Sequence, residues 1–377
     1  MFYLKNLAID GFRNYKQQKM QFHPCLNVLI GENAQGKTNL LESIFFLSVN
    51  RSFRTKNDYE LANFNRSCFV LKGAFVKDNF NHTIQVNYQQ NKRLKVIVND
   101  NQVNRFDNIQ NYPVVVFSPD DLQIVSEGPS VRRRFINLEA SRLNSVYLKE
   151  LRDYQRVLNH RNHVLKEKIS RFLINDQLAP WDQSLITLGV NLVRARVEII
   201  KALEKEAQHF FNEITLAKEM LSLEYASTIT YVTDKEEMKK LFYQDLLDRR
   251  NQELKRFSTL LGPHLDDIKI MINGYEARRF SSQGQKRTAA LALKMGEISL
   301  FKQKNNISPI ILLDDVFSEL DHERKLKLLN FISENAGQCI ITTAVDLSGL
   351  IQKINKEHKL LTISRGSIID ETTRNGY

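Results

Sequence analysis

Apolar and polar residues alternate from Tyr3 to Ile9, the two-residue period of a half-buried strand. Gly11-Phe12-Arg13-Asn14-Tyr15 follows as a loop, and Leu26-Asn27-Val28-Leu29-Ile30 reads as a buried strand. Asn39 to Leu47 reads as a helix. From Cys68 to Val98 the pattern is again β: Phe69–Val76, His82–Tyr88 and Leu94–Val98, joined by short polar stretches, predict an antiparallel meander. Tyr112–Phe117 is a further apolar strand, stopped at Ser118-Pro119. The character changes after Asp120. Val125 to Phe172 reads as helix, with Tyr147, Leu151, Tyr154, Leu158, Leu165 and Ile169 at a period of about 3.5 residues. Pro180-Trp181 is expected to break the run. A second helix carries Leu185, Leu188, Leu192, Ala195, Ile199 and Ala202, so the spacing predicts an antiparallel helical pair too short for a long coiled-coil arm. Strand character returns at Asp267–Ile272, closed by an Asn273-Gly274 turn. Phe280 to Arg287 opens a helix that runs through Ala289 to Leu300. Ile310–Leu313 and Cys339–Ile341 read as parallel strands ending in Asp314-Asp315 and Thr342-Thr343. Leu360–Ser364 and Ser367–Asp370 predict a terminal hairpin, and the last residues look frayed. The order predicts an α/β fold: a discontinuous first lobe over 1–120 and 265–377, and an inserted helical lobe over 121–264.

With 377 residues, 42% of them hydrophobic, the chain is long enough for two such lobes. Its formal net charge of +11 points either to a polyanionic partner or to a merely soluble basic surface. Lys and Arg outnumber Asp and Glu between residues 125 and 175, where Arg132-Arg133-Arg134 sits, and this favours a phosphate-contact surface there. Cys25, Cys68 and Cys339 are scattered, which argues against a disulfide framework or zinc site and fits small core residues in a reducing cytosol. No signal-peptide pattern or bilayer-length apolar run is seen, so a cytoplasmic protein is expected.

The sharpest chemistry lies between the Leu26–Ile30 strand and the helix after it. Gly31-Glu32-Asn33-Ala34-Gln35-Gly36-Lys37-Thr38 fits the phosphate-loop pattern G-x-x-x-x-G-K-[ST] in its proper strand–loop–helix setting. Glycines let backbone N–H groups turn inward, and the helix N-terminus adds positive potential. Lys37 is expected at the β and γ phosphates of ATP, and the Thr38 hydroxyl at Mg²⁺. Asp314 is expected to hold the metal, and Asp315 to orient and polarise the attacking water, because strand C-termini face the ligand crevice. Arg13 and Tyr15 lie just upstream; Arg13 either contacts the nucleotide base or sugar or belongs to a surface loop.

Ser281-Ser282-Gln283-Gly284-Gln285 resembles the signature sequence of ABC-type ATPases, in which the serine hydroxyl and glycine N–H groups bind the γ-phosphate held by an opposite subunit. By that resemblance Ser282, Gly284 and Gln285 are nucleotide contacts made in trans, and Ser318-Glu319-Leu320-Asp321 is the loop that follows the strand-end acids. Thr343 stands where many ABC ATPases keep a switch histidine, and Thr342 or Thr343 would hydrogen-bond a phosphate instead. Together with Arg51-Ser52-Phe53-Arg54-Thr55, Gly262-Pro263-His264 and Leu313-Asp314-Asp315-Val316, these motifs resemble the RecF family of bacterial recombination-repair proteins over nearly the whole chain. Leu265, Lys286 and Ala344-Val345 depart from the family pattern.

The resemblance implies an SMC-like ATPase head of mixed sheet with a short helical lobe, binding ATP and Mg²⁺ between two heads. It implies an ATP-driven homodimer that clamps DNA, duplex or single-strand/duplex junction, with RecR and RecO as partners. It further implies help in RecA loading, replication restart and SOS induction, with weak, DNA-stimulated, slow hydrolysis. Two other readings share the phosphate loop. An ATPase subunit of a membrane transporter would have a shorter stretch before the signature and a boundary glutamine, which Gln123 does not supply. A metabolic phosphotransferase would need no signature.

Overall fold

A computed structural model of the chain describes residues 2–105, 111–167, 174–344 and 357–374. The chain divides into two compact units. One comprises Met1–Asp121, Glu213–Leu216 and Leu291–Tyr377; the other comprises Leu122–Asn212 and Ala217–Ala290.

The first unit holds two six-stranded sheets. One is antiparallel and contains β1 (Phe2–Phe12), β2 (Tyr15–Gln21), β4 (Cys68–Lys77), β5 (Phe80–Gln89), β6 (Lys95–Val98) and β7 (Asn101–Val103), in the order β2-β1-β4-β5-β6-β7. The expected meander is therefore present, and β2 and β7 extend it. The other sheet runs β15 (Ser367–Arg374), β14 (His358–Ser364), β3 (Leu26–Ile30), β13 (Gln338–Thr343), β12 (Ile310–Asp314) and β8 (Val114–Phe117). It is parallel except for the β14–β15 hairpin. Every residue of β12 and β13 is buried, as continuous apolar runs in a covered parallel sheet must be. Helix α1 (Lys37–Val49) buries Leu40, Leu41, Ile44, Phe45 and Phe46, and Phe46 meets Phe69 of β4 edge-on at 5.8 Å. Where the β1–β4 register shifts between Leu4 and Asn6, the side chain of buried Gln338 both accepts from Leu4 N and donates to Leu4 O, each at 2.9 Å. That amide satisfies backbone groups which the irregular ladder would otherwise leave orphaned.

The second unit contains α2 (Leu122–Ser126), α3 (Pro129–Leu143), α4 (Ser145–Lys166), most of α5 (Ile174–Thr215), α6 (Lys235–Arg256) and α7 (Ala277–Phe280). A small antiparallel sheet of β9 (Leu221–Ala226), β10 (Asp267–Ile272) and β11 (Tyr275–Glu276) completes it. Because β10 pairs along its length with β9, residues 265–290 group with this unit and not, as the sequence boundary at 265 placed them, with the first. Helix α8 (Gln283–Asn305) and, in the first unit, α9 (His322–Asn335) complete the set.

Helices α4 and α5 form the expected antiparallel pair. His160 stacks on Trp181 at 4.9 Å, while nearer the other end Asn191 donates to Glu150 at 2.6 Å and Arg196 to Tyr147 at 3.0 Å. The expected break at Pro180-Trp181 is corrected: Pro180 lies inside α5. A helix proline forfeits one backbone bond, but Ile174 and Leu178 before it and Leu185 and Ile186 after it are all buried, so packing on both sides outweighs the loss. Helix α6 and strands β2 and β9 have no counterpart in the sequence reading. Met238, Phe242, Leu246 and Arg250 of α6 are buried at four-residue spacing, but charges crowd every intervening turn. Ile169 and the frayed last residues lie outside the described residues. Cys339 is buried, but Cys68 is exposed at a strand start, which corrects its assignment to the core.

Candidate functional site

The phosphate loop leaves β3 at Ile30 and enters α1 at Lys37. Parallel register brings Ile30 beside Thr343, and Thr342 beside Asp314, so three strand C-termini end at one level. The loop needs its glycines. Gly36 has φ +112°, and a Cβ there would lie 2.5 Å from Asn14 Nδ2. A Cβ on Gly31 would lie 2.4 Å from the Ile363 carbonyl oxygen. Glu32, Asn33 and Ala34 are exposed, and Ala34 also takes a positive φ of 63°. Gln35 is held from two sides. Its carbonyl accepts from Asn14 Nδ2 at 3.1 Å and Gly366 N at 2.9 Å, and its Oε1 accepts from Arg365 N at 2.7 Å. Tyr15 donates its hydroxyl to Gly36 O at 3.0 Å. The turns β1–β2 and β14–β15 thus brace the loop from behind. The sequence reading named Tyr15 and the terminal hairpin but gave the Asn14 and Arg365-Gly366 contacts no part.

Lys37 is buried, and its ammonium donates to Gly31 O at 2.5 Å and Glu32 O at 2.8 Å. Burial pushes its pKa below the ordinary lysine value, while Asp315 and Asp314 act in the opposite direction. Thr38 donates to Asp314 Oδ1 at 2.9 Å. Thr342 donates to the same oxygen at 2.8 Å and accepts from Asp315 N at 2.9 Å. Burial raises the Asp314 pKa, and the two hydroxyl bonds and Arg54 oppose the shift. Asp315 takes a left-handed φ of 51° and is only partly buried, and its carbonyl accepts from Ser318 Oγ at 2.7 Å. Thr342 and Thr343 are both buried. The Thr342 hydroxyl is engaged with the two aspartates.

This donor set fits a nucleotide with Mg²⁺. A hydroxyl and a carboxylate within bonding distance beneath a glycine loop are oxygen donors of the kind Mg²⁺ takes, with water and phosphate completing its shell. Among the described residues no group of three or more His, Cys, Asp or Glu side chains forms a separate metal site. Replacing Lys37 with alanine removes a charge-assisted donor. We expect nucleotide binding to weaken about ten- to a hundredfold, read by titration calorimetry; unchanged affinity would remove Lys37 from the site.

Arg13 lies in the partly exposed β1–β2 turn, as the loop alternative expected, and its side chain is engaged inside its own unit. Its Nε and Nη2 fork onto buried Glu42 at 2.8 Å each, and Nη1 donates to Glu60 O at 2.9 Å. Glu42 also accepts from Ser52 Oγ at 2.5 Å, and Arg54 Nη1 reaches Asn39 Oδ1 at 2.8 Å. Arg13 therefore braces α1 from its own chain, and the fork is not free for a base or sugar. The Arg51–Thr55 loop is drawn onto the same helix through Ser52 and Arg54.

In the second unit, Ser282 is exposed at the start of α8. Ser282 and Gln285 cap each other: Gln285 N donates to Ser282 Oγ at 3.3 Å, and Ser282 N to Gln285 Oε1 at 2.8 Å. This is the reciprocal S-x-x-Q capping box. The bond from Gln285 N uses the Ser282 oxygen as an acceptor and leaves its own proton to donate. A Cβ on Gly284 would meet nothing within 4 Å, so this face is open. The Arg132–Arg134 surface is corrected. Arg132 is 4% exposed and forks onto Asp267 at 2.7 and 2.8 Å. Arg133 is half-buried and donates to Asp266 O at 2.7 Å, and burial lowers its pKa. Arg134 alone of the three is exposed. Sequence cannot distinguish a solvated arginine from one clamped by acids more than a hundred residues away.

The family described as RecF/RecN/SMC N terminal domain matches residues 3–362. The chain is similar to the DNA replication and repair protein RecF of Streptococcus pneumoniae (strain ATCC 700669 / Spain 23F-1), 37% identical over 366 residues, covering 97% of this chain and 98% of the relative. Among solved structures it is similar to the recombination mediator protein RecF with ATP in the RecFOR pathway, with a TM-score of 0.90 and 33% identity. The corresponding RecF-ATPrS structure gives 0.87 and 34%, and both comparisons cover 98% of each chain. An Smc head domain from Pyrococcus furiosus, at 15% identity and a TM-score of 0.55, shares the fold. With its phosphate loop, strand-end acids and capped signature in one ATPase-head fold, the chain belongs to the RecF/RecN/SMC family.

Proposed function

We propose that this protein is an ATP-dependent DNA clamp of recombinational repair. Two copies close on each other when ATP is bound, grip duplex DNA at or near single-strand gaps, and release it after slow hydrolysis. The carrying observation is the division of labour between two half-sites. The phosphate loop with the Thr38–Asp314 pair supplies one. The open, capped helix start at Ser282, in the other unit, supplies hydroxyl and N–H donors for the second.

In this reading the loop N–H groups and Lys37 hold the phosphates, and Thr38 and Asp314 hold Mg²⁺. Mg²⁺ held there would neutralise charge on the phosphate oxygens. Asp315, held at its backbone by Thr342, orients and polarises the attacking water. The Ser282 hydroxyl and the first-turn N–H groups of α8 reach the γ-phosphate of the other copy. By analogy with the ATP-bound RecF structures of the RecFOR pathway, RecR and RecO are the expected partners. The cellular roles are RecA loading, replication restart and SOS induction. The net charge of +11 supports a nucleic-acid partner. A transporter ATPase is disfavoured, because the family match spans residues 3–362, including the helical stretch foreign to such subunits. No helix among the described residues is long and apolar enough to cross a membrane.

The test is molecular mass in solution with and without ATP, on and off gapped DNA. A doubling of mass that requires ATP, and salt-sensitive retention on DNA, are expected. Full ATP turnover by a monomer, indifferent to concentration and DNA, would overturn the proposal.

A further inference from the structure

We infer that Glu219 is a positioning residue for the signature segment, acting through the side-chain amide of Gln285. The inference rests on the function proposed above. A primary amide has nearly the same shape whichever end is turned outward, but only its oxygen accepts a hydrogen bond. The capping box requires that oxygen to face Ser282 N, and it does, at 2.8 Å. Glu219 supplies the selection. Its Oε1 accepts from Gln285 Nε2 at 2.6 Å. An ionised carboxylate can only accept, so it draws the NH₂ end toward itself and leaves the oxygen for Ser282.

Glu219 is itself placed by the backbone beside it. Met220 N donates to Asn273 Oδ1 at 2.8 Å, and Asn273 N donates back to Met220 O at 2.9 Å. This two-way bond fastens the approach to β9 onto the β10–β11 turn. With the Gln285 amide reversed, Ser282 N would face another donor. The cap would open, and the Ser282 hydroxyl and first-turn N–H groups would lose their common direction. Glu219 touches no nucleotide in this account; it holds the donors that do.

The experiment compares full-length Glu219→Leu, Glu219→Gln and unaltered protein. Glutamine keeps an oxygen that can accept from Gln285, and leucine does not. Hydrogen exchange at the Ser282 amide reads the cap directly, and sedimentation over an ATP titration reads dimerisation. Glu219→Leu is expected to exchange Ser282 about fivefold faster, the weight of one hydrogen bond, and to dimerise at a similarly higher protein concentration. Its ATP affinity as a monomer should be unchanged. Glu219→Gln keeps an acceptor but loses the carboxylate's one-way choice, so it should fall between Glu219→Leu and the unaltered protein. Unchanged Ser282 exchange in Glu219→Leu overturns the inference. Faster exchange with an unshifted dimerisation midpoint also overturns it, since Glu219 would then be merely structural. Failure of the unaltered protein to dimerise with ATP would instead sink the proposed function, while the exchange comparison would still decide whether Glu219 orients the cap.

Discussion

Substituting Ser282 with arginine is expected to abolish ATP-driven dimerisation while leaving ATP binding to the single chain intact. Ser282 is exposed and its oxygen caps α8 through Gln285 N. The phosphate loop, Lys37, Thr38 and Asp314 are assembled entirely within the other unit, so a change at Ser282 leaves that half-site whole. Losing the capping oxygen alone costs about 1 kcal/mol, a modest loss that leaves the chain folded. In the proposed dimer the large effect comes from a bulky side chain placed where the other copy's triphosphate would approach. Sedimentation with ATP reports the dimer, and calorimetry reports nucleotide affinity. ATP-dependent dimers at the unaltered midpoint would show that Ser282 takes no part in closing the site. Loss of both dimer and ATP affinity would show that the two half-sites are not independent.

Arg161→Met is expected to destabilise the second unit by about 3–5 kcal/mol, as removal of one partner from a buried ion cluster does. Arg161 is fully buried. Its Nε donates to Asp182 at 2.7 Å, Nη1 and Nη2 fork onto Glu253 at 3.1 and 2.6 Å, and Nη1 also reaches Thr259 Oγ1 at 2.6 Å. Without it Glu253, itself buried, keeps the Leu260 N–H at 3.0 Å and a long ion pair to Arg250 at 3.8 Å. Asp182 keeps Arg250. Urea unfolding at pH 7 checks the loss. Pairing the change with Glu253→Gln should recover part of the loss. A deficit below about 1 kcal/mol would mean that water or another cation already serves these acids.

The sequence was legible where a local rule and a tertiary requirement coincide. The glycine loop matched its pattern because a Cβ at Gly31 would meet the Ile363 carbonyl and one at Gly36, where φ is also left-handed, would meet the Asn14 side chain. The parallel strands were legible as unbroken apolar runs because a covered sheet has no solvent face, and their ends marked Asp314 and Asp315. The helix start at Ser282 was legible through the resemblance of Ser281-Ser282-Gln283-Gly284-Gln285 to a signature sequence, while its reciprocal cap emerged only in the structure. Side chains whose partners are remote in the chain were not legible. Arg132, Arg13 and Pro180 each carry the residue type that local rules associate with a phosphate, a nucleotide or a helix end. Asp267, Glu42 and the buried faces of α5 decide otherwise.

The order of residues alone therefore determined the phosphate loop, the strand-end acids, the alternation of sheet and helix, and the basic balance of the chain. Each follows from backbone sterics, side-chain period or charge, which act over a few neighbours or over the whole composition. Only the tertiary structure decided which arginines are exposed, that Thr342 serves the aspartates, and that turns near both chain ends brace Gln35. Those outcomes are set by distances between segments remote in sequence, and burial fixes them because a polar group taken out of water must find its partner wherever the fold places one.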